Sequence, residues 1–234
     1  IMSILGIYHR VDYDIMDHAA TLRGSGKKAD EARKELTEYA LKIGIKNGVV
    51  KKRIQPAMKV WLNEDDELSD EISKIYVKSK KEDKLAFNLG LMFRAYPAFY
   101  DVCNIIGSTG KLSGKVDIAT IRNRMERKYG QTSSVKQMVS KSVQSLMDWK
   151  ILKPIKNKGI YEYRNDILIK DLSQEILIYG ILKGSSRKGY PIDDILRDPS
   201  LFLYNMNNFD RNKCKYLKKV MEGNGIQNLY LDIT

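Results

Sequence analysis

The stretch "QTSSVKQMVSKSVQSLMDWKILK", residues 131–153, decides how this chain is read. Val135, Val139, Val143, Leu146 and Trp149 recur at three- and four-residue steps, and Met138, Ser142 and Met147 widen the stripe. That spacing predicts a helix with one side packed on a core. Thr132 or Ser133 can cap its start, because a side-chain oxygen there accepts an otherwise orphaned backbone N–H. The other side carries Ser133, Ser134, Lys136, Gln137, Ser140, Lys141, Gln144 and Ser145, with no acid before Asp148. A glutamine can pair bidentately with adenine and a lysine can reach guanine acceptors. An acid on the same side would repel phosphate. A merely solvated face has the same composition, so the neighbouring sequence has to discriminate.

Upstream, "VDIATIRNRMERKYG" (116–130) places Val116, Ile118, Ile121 and Met125 at apolar positions of a second helix, closed by Gly130. Downstream, "ILKPIKNKGIYEYR" (151–164) is a pair of short β-prone runs around Asn-Lys-Gly, a hairpin signal. Residues 115–164 hold twelve Lys and Arg against four Asp and Glu, so this segment contributes +8 of the chain's formal +12. Arg122, Arg124, Arg127 and Lys128 sit on and after the second helix, Lys156 and Lys158 at the hairpin tip, and Arg164 at its base. A basic surface of this kind raises the local concentration of polyanions such as nucleic acid or an anionic membrane.

The order over residues 98–164 is helix, loop, helix, tight glycine turn, helix and hairpin. It resembles the winged helix-turn-helix domain, with "KYGQTSS" (128–134) standing at the turn and "SLMDWKILK" leading into the first wing strand. The resemblance implies double-stranded DNA as the partner, with residues 133–149 as the recognition helix and 151–164 as the wing. Lys136, Gln137, Lys141 and Gln144 would then face bases, with Ser133, Ser134 and Ser140 beside them. Arg122, Arg124, Lys156 and Lys158 would meet phosphates, with Arg164 at the wing base. Domains of this kind also serve as protein-docking modules, and that reading stays open as the alternative.

Residues 1–96 are expected to form a helical N-terminal domain. Ala32, Leu36, Tyr39, Ala40 and Ile43 give one stripe, stopped by Gly44, while Pro56 is expected to divide 46–62 into two short helices. The acidic run from Glu64 to Glu71 suits an exposed turn and a first helical turn. Pro97 forces the helix carrying Leu85, Leu89, Met92 and Phe93 to end just before it. The next helix is expected to stop at Gly107 and to give way to a loop, "GSTGKLSGK". The winged-helix domain would occupy 97–234, with its core at 97–165 and an extension at 166–234. In that extension "SQEILIYGIL" reads as a helix, "FDRNKCKYLKKVMEGNG" as a basic helix with Arg211, Lys213, Lys215, Lys218 and Lys219, and "IQNLYLDI" as a terminal strand. A loose echo of 98–163 is visible in 173–233, which allows a second winged-helix-like unit. The fold class expected is therefore mainly α with a small β-hairpin wing.

Other chemistry lacks support in the residues. "LRGSGKKAD" (22–30) departs from a phosphate loop at Thr21 and Lys28. His9 and His18 have no cysteine or second histidine at ligand spacing, so no metal site is expected. Asp12, Asp14 and Asp17 lack a glycine-hinged calcium loop, and Asp193 and Asp194 fit a first helical turn. Cys103 and Cys214 read as buried free thiols of a reducing cytoplasm. No run approaches the ~20 apolar residues of a membrane span. The expectation is thus a non-enzymatic, cofactor-free cytoplasmic protein, with protein subunits of a larger system or a homodimer as further partners. The layout as a whole also resembles BrxA, the small component of BREX phage-exclusion systems. "LMFRAYPAFYDV", "SLMDWKILKP" and "DPSLFLYNM" carry that likeness. It implies DNA binding without enzymatic activity, in phage defence.

Overall fold

Two parallel helices that touch backbone to backbone join the halves of the chain. A computed structural model describes residues 6–64, 66–156, 159–187, 189–210, 212–221 and 227–231. Its first half is helical: α1 (Tyr13–Gly24), α2 (Ala29–Lys42), α3 (Asn47–Trp61), α4 (Glu67–Tyr76), α5 (Lys81–Ala95) and α6 (Pro97–Gly110). Then follow β1 (Lys115–Asp117), α7 (Ile118–Tyr129), α8 (Ser133–Asp148), β2 (Leu152–Pro154) and β3 (Ile160–Tyr163). The last part holds α9 (Asp171–Gly184), β4 (Gly189–Pro191), α10 (Ile192–Ile195), a 3-10 turn at Pro199–Leu201, β5 (Leu217–Met221) and β6 (Gln227–Leu231). The fold is mainly α with two small antiparallel sheets, in strand orders β1-β3-β2 and β4-β6-β5. None of the helices among the described residues is long and apolar enough to cross a membrane.

The α5–α9 crossing rests on small residues one helical turn apart: Ala86 and Gly90 on α5, Gly180 and Gly184 on α9. A Cβ on Gly180 would fall inside contact with the Gly90 carbonyl oxygen, and one on Gly184 would lie 2.7 Å from the Phe93 carbonyl oxygen. At the start of the pair, buried Asp83 accepts hydrogen bonds from the Lys170 N–H (2.9 Å) and the Ser173 hydroxyl (2.7 Å). The α5 side chain thereby serves the orphaned first turn of α9, which has no cap of its own. On the other flank of α5, Asn88 accepts from the Trp61 indole (2.9 Å) and donates to the Tyr76 hydroxyl (2.9 Å), which donates to Asp17 (3.0 Å). That buried chain of polar partners ties α3, α4 and α1 to α5.

Several sequence expectations are corrected. Pro56 does not divide α3, which runs unbroken through it. An interior proline costs a helix ~3 kcal/mol, but Val50 and Ile54 before it and Ala57, Val60 and Trp61 after it are all buried and hold the axis. Helix α6 continues past Gly107 to Gly110, and Gly107 serves there as the point at which the Pro199 carbonyl approaches the helix closely. Strands β1 and β4 are three-residue elements that no local pattern announces; each exists through its pairing, with β3 and β6 respectively. The expected basic helix over 209–225 is not formed: the described residues are irregular up to Tyr216 and then extend as β5. Glu175 on α9 accepts the N–H groups of Tyr216 (2.6 Å) and Leu217 (3.1 Å), fixing an extended entry into the pairing with β6. Asp66 caps α4 through the Ser69 N–H (3.3 Å), so the acidic run does supply a helix start. Cys103 is buried with its thiol pushed well up by burial, whereas Cys214 is only half-buried and lies on no helix.

The echo between the two late segments has a structural counterpart. Both α6 and α9 are 14 residues long and lead into a short strand, a second helix and an antiparallel pair, with the same order of strands. They part in the helices between the strands, where α10 has four residues against the 12 of α7. Where the first unit has the 16-residue α8, residues 202–216 of the second hold no regular helix among those described.

Gly180→Ala is expected to force a collision of helix backbones and to cost ~3 kcal/mol, the upper end for overpacking. For a chain of this length that corresponds to a melting temperature lower by roughly 6–12 °C. Gly48→Ala, which meets nothing within 4 Å, should be neutral or stabilising by up to ~1 kcal/mol. Thermal unfolding followed by circular dichroism checks both.

Candidate nucleic-acid interface

Helix α8 is set by its two ends. Gly130, at φ 93°, turns the chain after α7, and the Thr132 hydroxyl accepts the Val135 N–H (3.2 Å) as the N-cap. Val135, Met138, Val139, Val143 and Leu146 are buried, so the apolar stripe faces the core. Trp149, just past the helix, is buried beside Phe99 of α6 and Tyr13 of α1.

The polar side of α8 divides into two halves. Residues 6–13 run along α8, mostly on its C-terminal half, with their main-chain groups held by side chains of α8 and Trp149. The Ser145 hydroxyl accepts the Val11 N–H (2.8 Å), the Trp149 indole donates to the Val11 carbonyl (2.9 Å), and Asp148 accepts the Tyr13 N–H (2.8 Å). Gln137 reaches the same segment, donating to the Tyr8 carbonyl (3.3 Å). Ser145 is therefore a buried anchor and not a member of the solvent side. Asp12, itself buried, is gripped by Arg53 of α3 and by Arg10 (Nη2 at 2.7 Å), so no unbalanced acid faces this region from the segment.

The N-terminal half stays open apart from the Gln137 contact. Ser133, Lys136 and Gln137 are exposed, and Ser134 and Ser140 are half-buried. Lys136 has only a distant acid, Glu126 at 3.9 Å. Lys141 and Gln144 are half-buried and engaged with each other at 3.1 Å, with the Gln144 amide 3.4 Å from the Ser140 hydroxyl. On α7, Arg124 is exposed and donates to the Ser108 hydroxyl (3.1 Å). Arg122 is half-buried, and its Nε is enclosed without a hydrogen-bond acceptor among the described residues. Lys128 is committed to Asp101 of α6 (2.6 Å). Lys156 is exposed on the β2–β3 loop, while Lys158 lies outside the described residues.

Arg164 stands apart from this group. It lines a cleft of about 340 Å³ together with Asp14, Glu82, Asp148 and Lys150, a mixed-charge setting at the α1–α5 side of the hairpin base. Of the C-terminal basics, Lys213 pairs with Asp171 (3.3 Å) and Lys215 with Glu71 (2.6 Å), so both are neutralised locally; Arg211 lies outside the described residues. Asp12, Asp17 and the two histidines do not gather, and no cluster of three or more His, Cys, Asp or Glu occurs among the described residues.

Sequence reasoning misses residues 6–12 as a part of this site. The available signal is the spacing of Ile7, Val11 and Ile15, all buried, which marks the segment as packed. His9 projects from it, with its pKa held below 6.5 by burial and by the neighbouring cations Lys52, Lys141 and Arg53. No protein-family model, curated protein or solved structure matches the chain.

Ser145→Ala leaves the buried Val11 N–H without an acceptor, a loss of about 1–3 kcal/mol. Hydrogen exchange at Val11 is expected to speed up roughly ten- to a hundred-fold. Unchanged exchange would show that this bond does not hold the segment.

Proposed function

We propose that this chain is a non-enzymatic double-stranded DNA-binding protein whose α8 enters the major groove and whose basic β2–β3 hairpin lies on the backbone. The observation that carries the reading is the open half of α8. Ser133, Lys136 and Gln137 are exposed there, beside the capped N-terminus of a rigidly held helix, and the polar side carries no acid before Asp148. A major groove admits one helix, and the N-terminal residues of such a helix are the ones that reach base edges. The helix order α6–β1–α7–α8–β2–β3, with a three-residue turn at 130–132 and the sheet order β1-β3-β2, supports a winged helix-turn-helix reading of residues 97–165.

In this reading Lys136, Gln137, Lys141 and Gln144 face bases, Gln137 after releasing the Tyr8 carbonyl and the last two after releasing each other. Arg124 and Lys156 supply phosphate contacts from α7 and the hairpin. Arg122 contributes less than its charge suggests, because part of its guanidinium is enclosed. Arg164 is left out of the footprint. The setting proposed is regulation or phage defence of the BREX type, resting on the likeness in layout to BrxA.

Duplex binding measured over a salt series tests the reading. Reversing two cations by Lys136→Glu and Lys141→Glu is expected to weaken affinity at least tenfold. It should also flatten the log–log salt dependence by about 0.9 for each phosphate that is no longer neutralised. Unchanged affinity and slope would overturn it and leave docking of a protein partner as the better account of α8.

A further inference from the structure

The cationic surface does not end at α8. Helix α3 carries Lys51, Lys52 and Lys59 on its exposed side and has no acid anywhere along its length. Between α3 and residues 6–9 runs a cleft of about 410 Å³, lined by Tyr8, His9, Lys52, Gln55, Lys59 and Tyr96. Lys59 is already engaged, donating to the Ala95 carbonyl (2.9 Å) over the Tyr96 ring. Lys51 and Lys52 are exposed and have no ion-pair partner among the described residues. The Tyr8 hydroxyl is enclosed with no hydrogen-bond partner among them either. The nearest acid of the segment, Asp12, is neutralised by Arg10 and Arg53.

We infer that His9 and the exposed ridge of α3 continue the α8 face, so that a duplex held by α8 lays its phosphate backbone along Lys52 and Lys51. This rests on the DNA-binding reading of α8 and enlarges its footprint. His9 is the joint between the two elements. The charged groups that act on it are the cations Lys52 and Arg53 from α3 and Lys141 from α8, of which Arg53 is paired with Asp12. Lys52 and Lys141 have no ion-pair partner among the described residues, and their field disfavours the charged form of His9 in the free chain; a phosphate placed beside them offsets that field. Binding then favours the charged imidazole, so a proton is taken up on complex formation and affinity rises as the pH is lowered.

The test uses the full chain and a fluorescently labelled random-sequence duplex of about 30 base pairs, with anisotropy read over salt and pH. Lys51→Gln with Lys52→Gln, exposed changes that cost the fold little, should weaken binding about tenfold. With two phosphates no longer neutralised, the salt slope should flatten by about 2. Lys34→Gln with Lys42→Gln, a charge-matched pair on α2, should leave both values unchanged. His9→Gln should remove the tightening at lower pH. The inference fails alone if the α3 pair changes nothing while Lys136→Glu with Lys141→Glu still weakens binding. It also fails if the α2 pair weakens binding equally, which would mean net charge and no particular surface. Absence of binding by the unaltered chain would overturn it together with the reading it rests on.

Discussion

The approach of α5 and α9 through Gly90 and Gly180 is the constraint on which the remaining arrangement depends. Only glycine at these positions lets two helix backbones come so close. The contact fixes their relative height, and Asp83 at one end locks it by capping the first turn of α9. Everything else attaches to one member of the pair. The Trp61–Asn88–Tyr76–Asp17 chain ties α3, α4 and α1 to α5. Pro97 turns α5 directly into α6, and Glu175 of α9 sets where β5 begins.

Helix α8 inherits its rigidity from this frame by an indirect route. Its apolar side packs on the core, while Val11 and Tyr13 bind its C-terminal polar side through main-chain groups that Ser145, Asp148 and Trp149 satisfy. The same side chains would be unexplained on a helix that only faced solvent. A helix pinned on both sides would present its N-terminal half with little left to order in the proposed complex, which would lower the entropic cost of binding. Neutralising Asp12 with two arginines keeps that strap from placing a negative charge beside the cationic surface.

Much of α8 is legible in the sequence, because its stripe, its cap and its glycine turn all agree over sixteen residues. So is the class of fold, since the first half is amphipathic throughout. What escapes a sequence reading is long-range in origin. Ser145 has the look of a solvent residue, and only the arrival of Val11 from 134 positions away makes it an anchor. Residues 209–221 have the spacing and charge of a helix, yet Glu175 and β6 offer their backbone better partners. Strands of three residues, such as β1 and β4, carry no periodicity of their own. The local cost of Pro56 predicts a break, whereas packing on both sides outweighs it. Among the site residues, the sequence locates the polar side of α8 but neither tells its open part from the part covered by the N-terminal segment nor separates Arg164 from the rest. It also holds no hint that α3 borders the same surface.

Amide hydrogen exchange of the whole chain, with and without a saturating random-sequence duplex, tests the central claim most directly. The account predicts added protection in residues 133–144 and in the β2–β3 loop, with none on the face formed by β5 and Glu71. Protection confined to that far face, or no change at α8 under conditions where DNA is bound, would contradict it.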